Sequence, residues 1–360
     1  MAQKDTVVCG RAHVMFFSCG LRNVSRFPAK FSLWVILYCF FAPVAQSQNL
    51  DYTSWLERVK TEARERGIKQ EIIESVFSGV KPIKRVLKRD RNQSEFKLTL
   101  DIYLRRVITE KNIKRGKMMA KNHQNTLKMV YERYGVAPRV ILAIWGIETR
   151  FGLVKANIPL IPSIVTLAYD KRRSKYFRAQ LFSVLEMLNR GYIEQTSLFG
   201  SWAGAMGQPQ FMPSSYLAYA QDFDGDGRRD IWNSVPDVLA SIANYLAQHR
   251  WRRNRIWGRE ITIPINYSKS LYPPTRRLTK GCRAKASVPK KLINWHQEGI
   301  RRADGDPLPK VDISGVIVQP DGVKGRSFLT YNNYAAILSY NCAHLYGITV
   351  GIFSDYIGKR

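Results

Sequence analysis

Glu148 stands in the stretch A-I-W-G-I-E-T-R-F-G, residues 143–152, with Ile141, Ile144 and Trp145 at helical spacing before it. Offsets of 0, 3, 4 and 7 place the carboxyl on the same stripe as core-facing side chains. A carboxyl among apolar neighbours such as Trp145 and Phe151 keeps its proton to higher pH than one in water, which is what glycosidic cleavage asks of its general acid. A half-buried structural Glu or a salt-bridge partner gives the same pattern, and Arg150 works against the shift if it points inward.

A second stretch, G-S-W-A-G-A-M-G-Q-P-Q-F-M-P-S-S-Y, covers 200–216. Gly200, Ala203, Gly204, Ala205 and Gly207 are small enough for close backbone approach to a ligand. Ser201, Gln208, Gln210, Ser214 and Ser215 offer hydrogen bonds suited to sugar hydroxyls and acetamido groups, and Trp202, Phe211 and Tyr216 offer faces for stacking on sugars. A tight helix-packing turn has the same composition.

The third is D-F-D-G-D-G-R-R-D-I-W-N, 222–233. Asp222, Asp224 and Asp226 occupy positions 1, 3 and 5 of an EF-hand-like loop with Gly227 at 6, but position 12 is Asn233 rather than Glu, and Asp230 is an alternative ligand. An acidic turn paired with a basic surface is the competing reading. A metal here would hold the loop rather than take part in proton transfer. The five histidines, His13, His123, His249, His296 and His344, form no metal spacing, and no Ser/His/Asp arrangement stands out.

The elements that position these residues read as mostly helical. Ser54 and Glu57 have capping-box spacing for a helix that runs, with a stop at Gly67, to Ser78. Residues 81–115 alternate basic and apolar positions, as amphipathic helix and loop lying over a core. Pro138 opens the helix that carries Glu148, and Gly152 lies just beyond its end. Further helices are expected over 176–190 and 236–248, the latter with Val238, Ile242 and Tyr245 on one face, and a terminal helical pattern runs from Asn332 to about Gly358. Prolines and alternating I-T-I-P-I-N-Y and V-D-I-S-G-V-I-V segments point to a small β insertion over about 258–330.

The 360 residues suffice for a sizeable core. Residues 1–47 read as a secretory signal peptide: scattered basic residues, then the apolar run from Phe31 to Phe41, then Ala45-Gln46-Ser47 with cleavage after Ser47, or after Ala45. An uncleaved anchor is the rival, though the run falls short of the roughly 20 residues a bilayer span takes. Cys39 follows Tyr38, a poor context for lipid attachment. Loss of the leader removes five basic residues and Asp5, taking the formal charge from +29 to +25. For an exported chain such a field makes the cell wall and peripheral contact with anionic membrane nearer partners than nucleic acid, from which export keeps it, and a solvated basic surface with no single partner reads the same. With Cys9, Cys19 and Cys39 in the leader, Cys282 and Cys342 remain as material for one disulfide in an oxidising compartment; two separately buried thiols would look the same in sequence.

Residues 140–152, 200–220 and 222–251 together resemble the catalytic domain of the membrane-bound lytic murein transglycosylase B family, lysozyme-like enzymes of peptidoglycan, most closely in A-G-A-M-G followed by Q-F-M-P-S-S-Y. The resemblance runs from about residue 50 to the C-terminus. It implies a mainly α (α+β) fold with a lysozyme-like core, a helical N-terminal part and the small β insertion, in one catalytic domain over 48–360 of a periplasmic protein. It also implies cleavage of the β-1,4 bond between N-acetylmuramic acid and N-acetylglucosamine without water, the muramyl C6 hydroxyl closing a 1,6-anhydro ring. Glu148 matches the family's acid and base. Ser201, Gln210 and Tyr245 match sugar-contacting positions, and Tyr340, Asn341 and Tyr346 in L-S-Y-N-C-A-H-L-Y match groups of the cleft more loosely. Q-P-Q before Phe211 departs from the family's usual Gly-rich pair but keeps Gln210. The family's longer metal loop, closed by an acidic residue, makes Asp237 and the Arg228 carbonyl the implied partners of Asp222, Asp224 and Asp226 in a structural calcium site over 222–237. No cofactor is required for the chemistry. The expected partners are glycan strands and cell-wall synthesis proteins. No motif-bound second carboxylate accompanies Glu148, as a one-acid scheme requires and a two-carboxylate glycosidase does not allow. A hydrolytic muramidase and a non-catalytic wall-binding protein are the alternatives.

Overall fold

The structure, a computed structural model, describes residues 51–92, 98–271 and 273–359. The expected leader, with its cleavage point and three cysteines, lies outside the described residues.

The chain opens with α1 (Tyr52–Glu65), α2 (Gln70–Phe77) and α3 (Lys84–Arg91). The cap of α1 is Asp51, whose carboxylate accepts the Thr53 and Ser54 N–H groups, so the Ser54–Glu57 spacing is not the capping box it resembles: Ser54 is already helical and its hydroxyl donates to Asp51. Next come α4 (Leu100–Val107), α5 (Glu110–Asn122), α6 (Gln124–Tyr134) and α7 (Pro138–Thr149). Short strand β1 (Ile158–Pro159) leads into α8 (Leu160–Tyr169) and α9 (Ser174–Asn189). Its partner β2 (Phe199–Gly200) precedes α10 (Pro213–Tyr219) and α11 (Val235–Gln248).

The insertion then contributes β3 (Gly258–Thr262), α12 (Ile265–Ser270), β4 (Arg276–Arg277), β5 (Lys285–Ala286), β6 (Lys290–Lys291), α13 (Leu292–Gln297), β7 (Arg301–Arg302), β8 (Ser314–Val318) and β9 (Ser327–Thr330). Five of the strands form an antiparallel sheet in the order β6-β8-β9-β3-β7. Its own apolar cluster gathers Ile261, Leu292, Trp295, Ile317 and Leu329, with the Trp295 indole N–H donating to the Gly315 carbonyl at 3.0 Å.

Two larger clusters hold the helices. One packs α1 to α3 against α8, α9 and α10 through residues such as Val59, Ile73, Phe77, Ile164, Leu181 and Tyr216. Asp90, buried at the end of α3, takes ion pairs from both Arg172 and Arg173 ahead of α9. The other surrounds α7 with α4, α5, α6, α11 and the C-terminal helices. From Val140 to Gly146 every residue of α7 is buried, and loss of a side chain such as Trp145 there would cost about 3–5 kcal/mol. The insertion also clamps this half: Asp321 accepts the N–H of Leu100 at the start of α4, and Arg326 joins Glu260 to Asp101.

The terminal helical pattern is two helices, α14 (Asn332–Tyr340) and α15 (His344–Gly358), which meet at 116°. At the break between them lies a disulfide, Cys282–Cys342, that ties the insertion to this corner. Closing a loop between residues 60 apart restricts the unfolded chain by roughly 4 kcal/mol in a loop-entropy estimate. Replacing both cysteines by alanine is therefore expected to lower the unfolding free energy by a few kcal/mol in urea titration, and an unchanged midpoint would show that the link does not constrain the chain.

Candidate active site

Glu148 sits in the last turn of α7, half-buried, and its Oε1 accepts the Tyr346 hydroxyl at 2.7 Å. Beyond it the chain turns abruptly: Arg150, Phe151 and Gly152 have φ of 52°, 59° and 77° in succession. Left-handed conformations at the first two cost on the order of 1–3 kcal/mol each and persist because Phe151 is buried edge-on against Trp145, ring centroids 5.5 Å apart, and against Phe353. The reversal turns Arg150 to the exterior. Its guanidinium is therefore not the inward charge that the sequence left open.

Tyr340 and Tyr346 face each other across the α14–α15 break with rings nearly parallel, 6.4 Å apart and 11° from coplanar. Burial, then the charge of Glu148, raises both phenols well above their ordinary range, so each stays a neutral donor. Among the described residues Glu148 is the one carboxylate whose charge contributes at Tyr340. The Tyr340 hydroxyl donates to the Pro209 carbonyl at 2.6 Å, and Tyr245, also raised by burial, donates to the Ser339 carbonyl at 2.6 Å. With Phe211, these rings form one aromatic wall: Tyr245 lies 4.8 Å from Tyr340, and Phe211 lies 5.6 and 5.8 Å from the two. His249 stacks on Tyr245 at 4.1 Å from behind. Tyr103 of α4, not singled out from the sequence, is close enough to Tyr346 to act on its phenol. It is the half-buried aromatic in a segment read only for its basic pattern, so no spacing marked it.

The 200–216 segment differs in use from its reading. Its small residues meet protein, not open space: a Cβ on Gly200 would lie 2.5 Å from Leu160, and one on Gly207, at φ 63°, 2.7 Å from the Ile231 carbonyl. Phe211 is 2% exposed and Tyr216 fully buried, so neither presents a face to sugar, and Trp202 is half-buried. The Ser201 hydroxyl accepts the N–H groups of Ala203 and Ala205, closing its own turn. Gln210, at φ 52°, donates its amide to the Gly207 carbonyl at 2.9 Å. Asn341 is exposed at the helix break.

Gln208 has the most consequential contacts. Its Oε1 accepts the Trp145 indole N–H and its Nε2 donates to the Trp232 carbonyl, both at 2.8 Å; its backbone N–H donates to the Ile231 carbonyl and its carbonyl accepts the Thr149 hydroxyl. Gly152 is pressed so closely against this amide that a Cβ would collide with it. One side chain thus joins the helix of Glu148 to the end of the acidic loop.

In that loop Asp222, Asp224 and Asp237 each bring a carboxylate oxygen within 4.8 Å of the others. Asp237, 0% exposed, accepts the N–H groups of Phe223 and Asp230; burial raises its carboxyl above its ordinary value and the charge of Asp224 adds to the shift. Asp222 accepts from Gly225 and Gly227, and Asp224 from Asp226 and Ser234. None of the three carboxylates is in a salt bridge among the described residues, and three anionic oxygens of this hard-donor type suit calcium. Asp226 stands outside the cluster, its carboxylate accepting the Arg228 N–H, and Asp230 is engaged by Trp232 and Asn233.

The site thus sits in a mostly helical core with small antiparallel sheets. Residues 51–355 match the transglycosylase SLT domain family, and the chain belongs to it. Membrane-bound lytic murein transglycosylase B of Escherichia coli (strain K12) is 36% identical over 165 residues, 46% of this chain and 44% of that protein, so the match spans less than half of that relative's length. SltB3 from Pseudomonas aeruginosa, solved in complex with NAG-anhNAM-pentapeptide, superposes with a TM-score of 0.77 at 35% identity, over 85% of this chain and 79% of that one. The Escherichia coli lytic transglycosylase SLT35, solved in complex with calcium, shares the fold with a TM-score of 0.70 at 24% identity, over 84% of this chain and 92% of that one.

Replacing Gln208 by alanine strips the Trp145 indole and the Trp232 carbonyl of their partner. A loss of about 1–3 kcal/mol in thermal unfolding is expected, and a loss under about 0.5 kcal/mol, as at an ordinary surface position, would show that the bridge is not structural.

Proposed function

We propose that the protein is an exported lytic transglycosylase that cleaves the β-1,4 bond between N-acetylmuramic acid and N-acetylglucosamine in peptidoglycan and leaves 1,6-anhydromuramyl ends. The observation that supports this reading is the half-buried carboxyl of Glu148, which accepts the Tyr346 hydroxyl beside neutral phenols. In this reading the acid proton is carried by the Glu148 carboxyl. Glu148 gives it to the glycosidic oxygen as the C1–O bond breaks with its electron pair, and the substrate's acetamido group steadies C1. The carboxylate then takes the proton of the muramyl C6 hydroxyl as that oxygen bonds to C1. No water is consumed, Glu148 ends protonated as it began, and the acetamido group takes the place of the carboxylate nucleophile of two-carboxylate glycosidases, so one carboxyl suffices.

In this reading Tyr340, half-buried, offers ring surface to the sugars with its hydroxyl committed to the Pro209 carbonyl, and the buried Tyr245 supports it from the core. Gln210, Ser201 and Asn341 supply polar contacts. Residues 1–47 direct export to the periplasm, and the basic surface keeps the enzyme near the anionic wall.

Digestion of purified peptidoglycan is expected to give products one water lighter than reducing muropeptides by mass. Glu148→Gln should cut turnover at least 10²-fold while strand binding is retained. Reducing ends alone would make the enzyme a hydrolase, and unaltered cleavage by the variant would remove Glu148 from the mechanism.

Calcium on Asp222, Asp224 and Asp237, with the Arg228 carbonyl as a further ligand, would stiffen the loop that Gln208 links to α7. The ion supplies charge balance to the loop and no step of the chemistry. Added calcium should raise the melting temperature by several degrees and a chelator reverse it, with Asp224→Asn abolishing the response. Indifference of the wild type to both would dismiss the ion.

A further inference from the structure

Tyr340 ends α14, Asn341 follows it, and Tyr346 lies in the first turn of α15. The residues interleaved with these, Ser339, Cys342 and His344, are all engaged by one piece of the insertion. That piece is the β4–β5 hairpin, in which Arg276 faces Ala286 and Arg277 faces Lys285. From its loop the Thr279 hydroxyl meets the Ser339 hydroxyl at 3.3 Å, Cys282 is bonded to Cys342, and the Arg283 N–H donates to the Cys342 sulfur at 3.1 Å. At the foot of the loop the Lys285 carbonyl accepts the His344 Nε2–H at 2.8 Å. The Ser339 carbonyl in turn accepts the Tyr245 hydroxyl, so the loop reaches the aromatic wall through one residue.

These ties set a geometry that the two helices do not set for themselves. They meet at 116°, and Ala343 offers α15 no side-chain cap. Burial holds His344 below the ordinary histidine range, so its neutral ring accepts the Tyr334 hydroxyl at 2.9 Å while lying parallel to that ring, planes 3° apart. The disulfide is the covalent tie. Cys282 is 3% exposed whereas Cys342 is exposed, so a thiolate from solvent meets the bond on the Cys342 side.

We propose that the β4–β5 loop, through Cys282 and Cys342, positions the corner that meets the sugars, and that opening this bond weakens glycan binding in a chain that stays folded. This rests on the proposed reading of the corner as part of the glycan cleft. Cys282 and Cys342 are positioning residues, acting through Tyr340 and Asn341. A dithiol reductant opens the bond by exchange: one thiolate attacks a cysteine sulfur, and the second displaces it from the mixed disulfide. The reductant leaves as a cyclic disulfide, and Cys282 and Cys342 each gain one electron and one proton. While the bond is closed, Tyr340 and Asn341 stand where one sugar meets both. Once it is open, the corner has to be ordered by the sugar itself, at a cost in affinity. The enzyme is thereby matched to an oxidising compartment, since full affinity for its substrate follows only after a thiol oxidation.

The test compares the full chain, oxidised and reduced with dithiothreitol, with a Cys282→Ser/Cys342→Ser variant on soluble glycan strands, circular dichroism reporting the fold. Reduction is expected to raise KM roughly five- to tenfold, a difference of about one decade or less in affinity, and reoxidation to restore it. The double variant should show the higher KM throughout and ignore the reductant. A smaller folded fraction lowers the maximal rate at unchanged KM. That pattern, an unchanged KM, or a double variant that responds to dithiothreitol overturns the proposal, as does unfolding on reduction, which would make the bond a staple of the whole fold. Binding of a tetrasaccharide of alternating N-acetylglucosamine and N-acetylmuramic acid to Glu148→Gln, followed by calorimetry in both redox states, gives the same comparison without turnover. If no anhydromuramyl ends form, the proposed activity fails, and this binding arm alone judges the loop: affinity weakened by reduction sustains it, and equal affinity or no binding refutes it.

Discussion

Everything near Glu148 depends on a conflict at the end of α7. The helix is too apolar to lie anywhere but inside, yet its last turn must bring a carboxyl to the edge of the core and the chain must leave at once. Burial of Phe151 resolves the conflict by holding two non-glycine residues left-handed, and the hydrogen bonds of Gln208 fix the reversed segment to its neighbour. Remove that tie, and the carboxyl would rest on a helix end, which is where helices fray, and on side-chain contacts such as the Tyr346 hydroxyl.

The aromatic wall shows a related division of labour. Tyr346 donates to the carboxyl, whereas Tyr340 and Tyr245 are committed to backbone carbonyls. Buried hydroxyls without partners would be costly, so the backbone of residues 209 and 339 is drawn toward the rings. The 207–211 turn and the α14–α15 corner are thereby held to each other by side chains rather than by sheet or helix.

The helix of Glu148 could be read from sequence because a proline start, a glycine stop and an apolar stripe all agreed on it. The insertion was legible from alternation and proline content, and the acidic loop from its spacing. The fate of the small residues in 200–216 could not be read. Glycine reports that something comes close, and here it is Leu160, Ile164 and Ile231 rather than a sugar. Phe211 and Tyr216 failed as sugar platforms for the same reason, since an aromatic residue looks alike in sequence whether its face meets core or ligand. Tyr103 meets Tyr346 from a segment distant in the chain, which no local pattern records.

The insertion between α11 and α14 leaves and re-enters the helical body through strands that are direct neighbours: Gly258 faces Thr330 in the β3–β9 ladder, and the Tyr331 N–H donates to the Trp257 carbonyl at 2.9 Å. Its two ends are stitched together at the root, like a branch grafted at one point. Segments between them could lengthen, shorten or be exchanged over evolution with little demand on the helices that carry the carboxyl, since the cost of closing a longer loop grows only slowly with its length. The corner tied by the disulfide and the contacts of Asp321 and Arg326 with α4 are the exceptions. Variation in this group of enzymes is therefore expected to accumulate along the outer strands, while the graft point and the linked corner stay fixed.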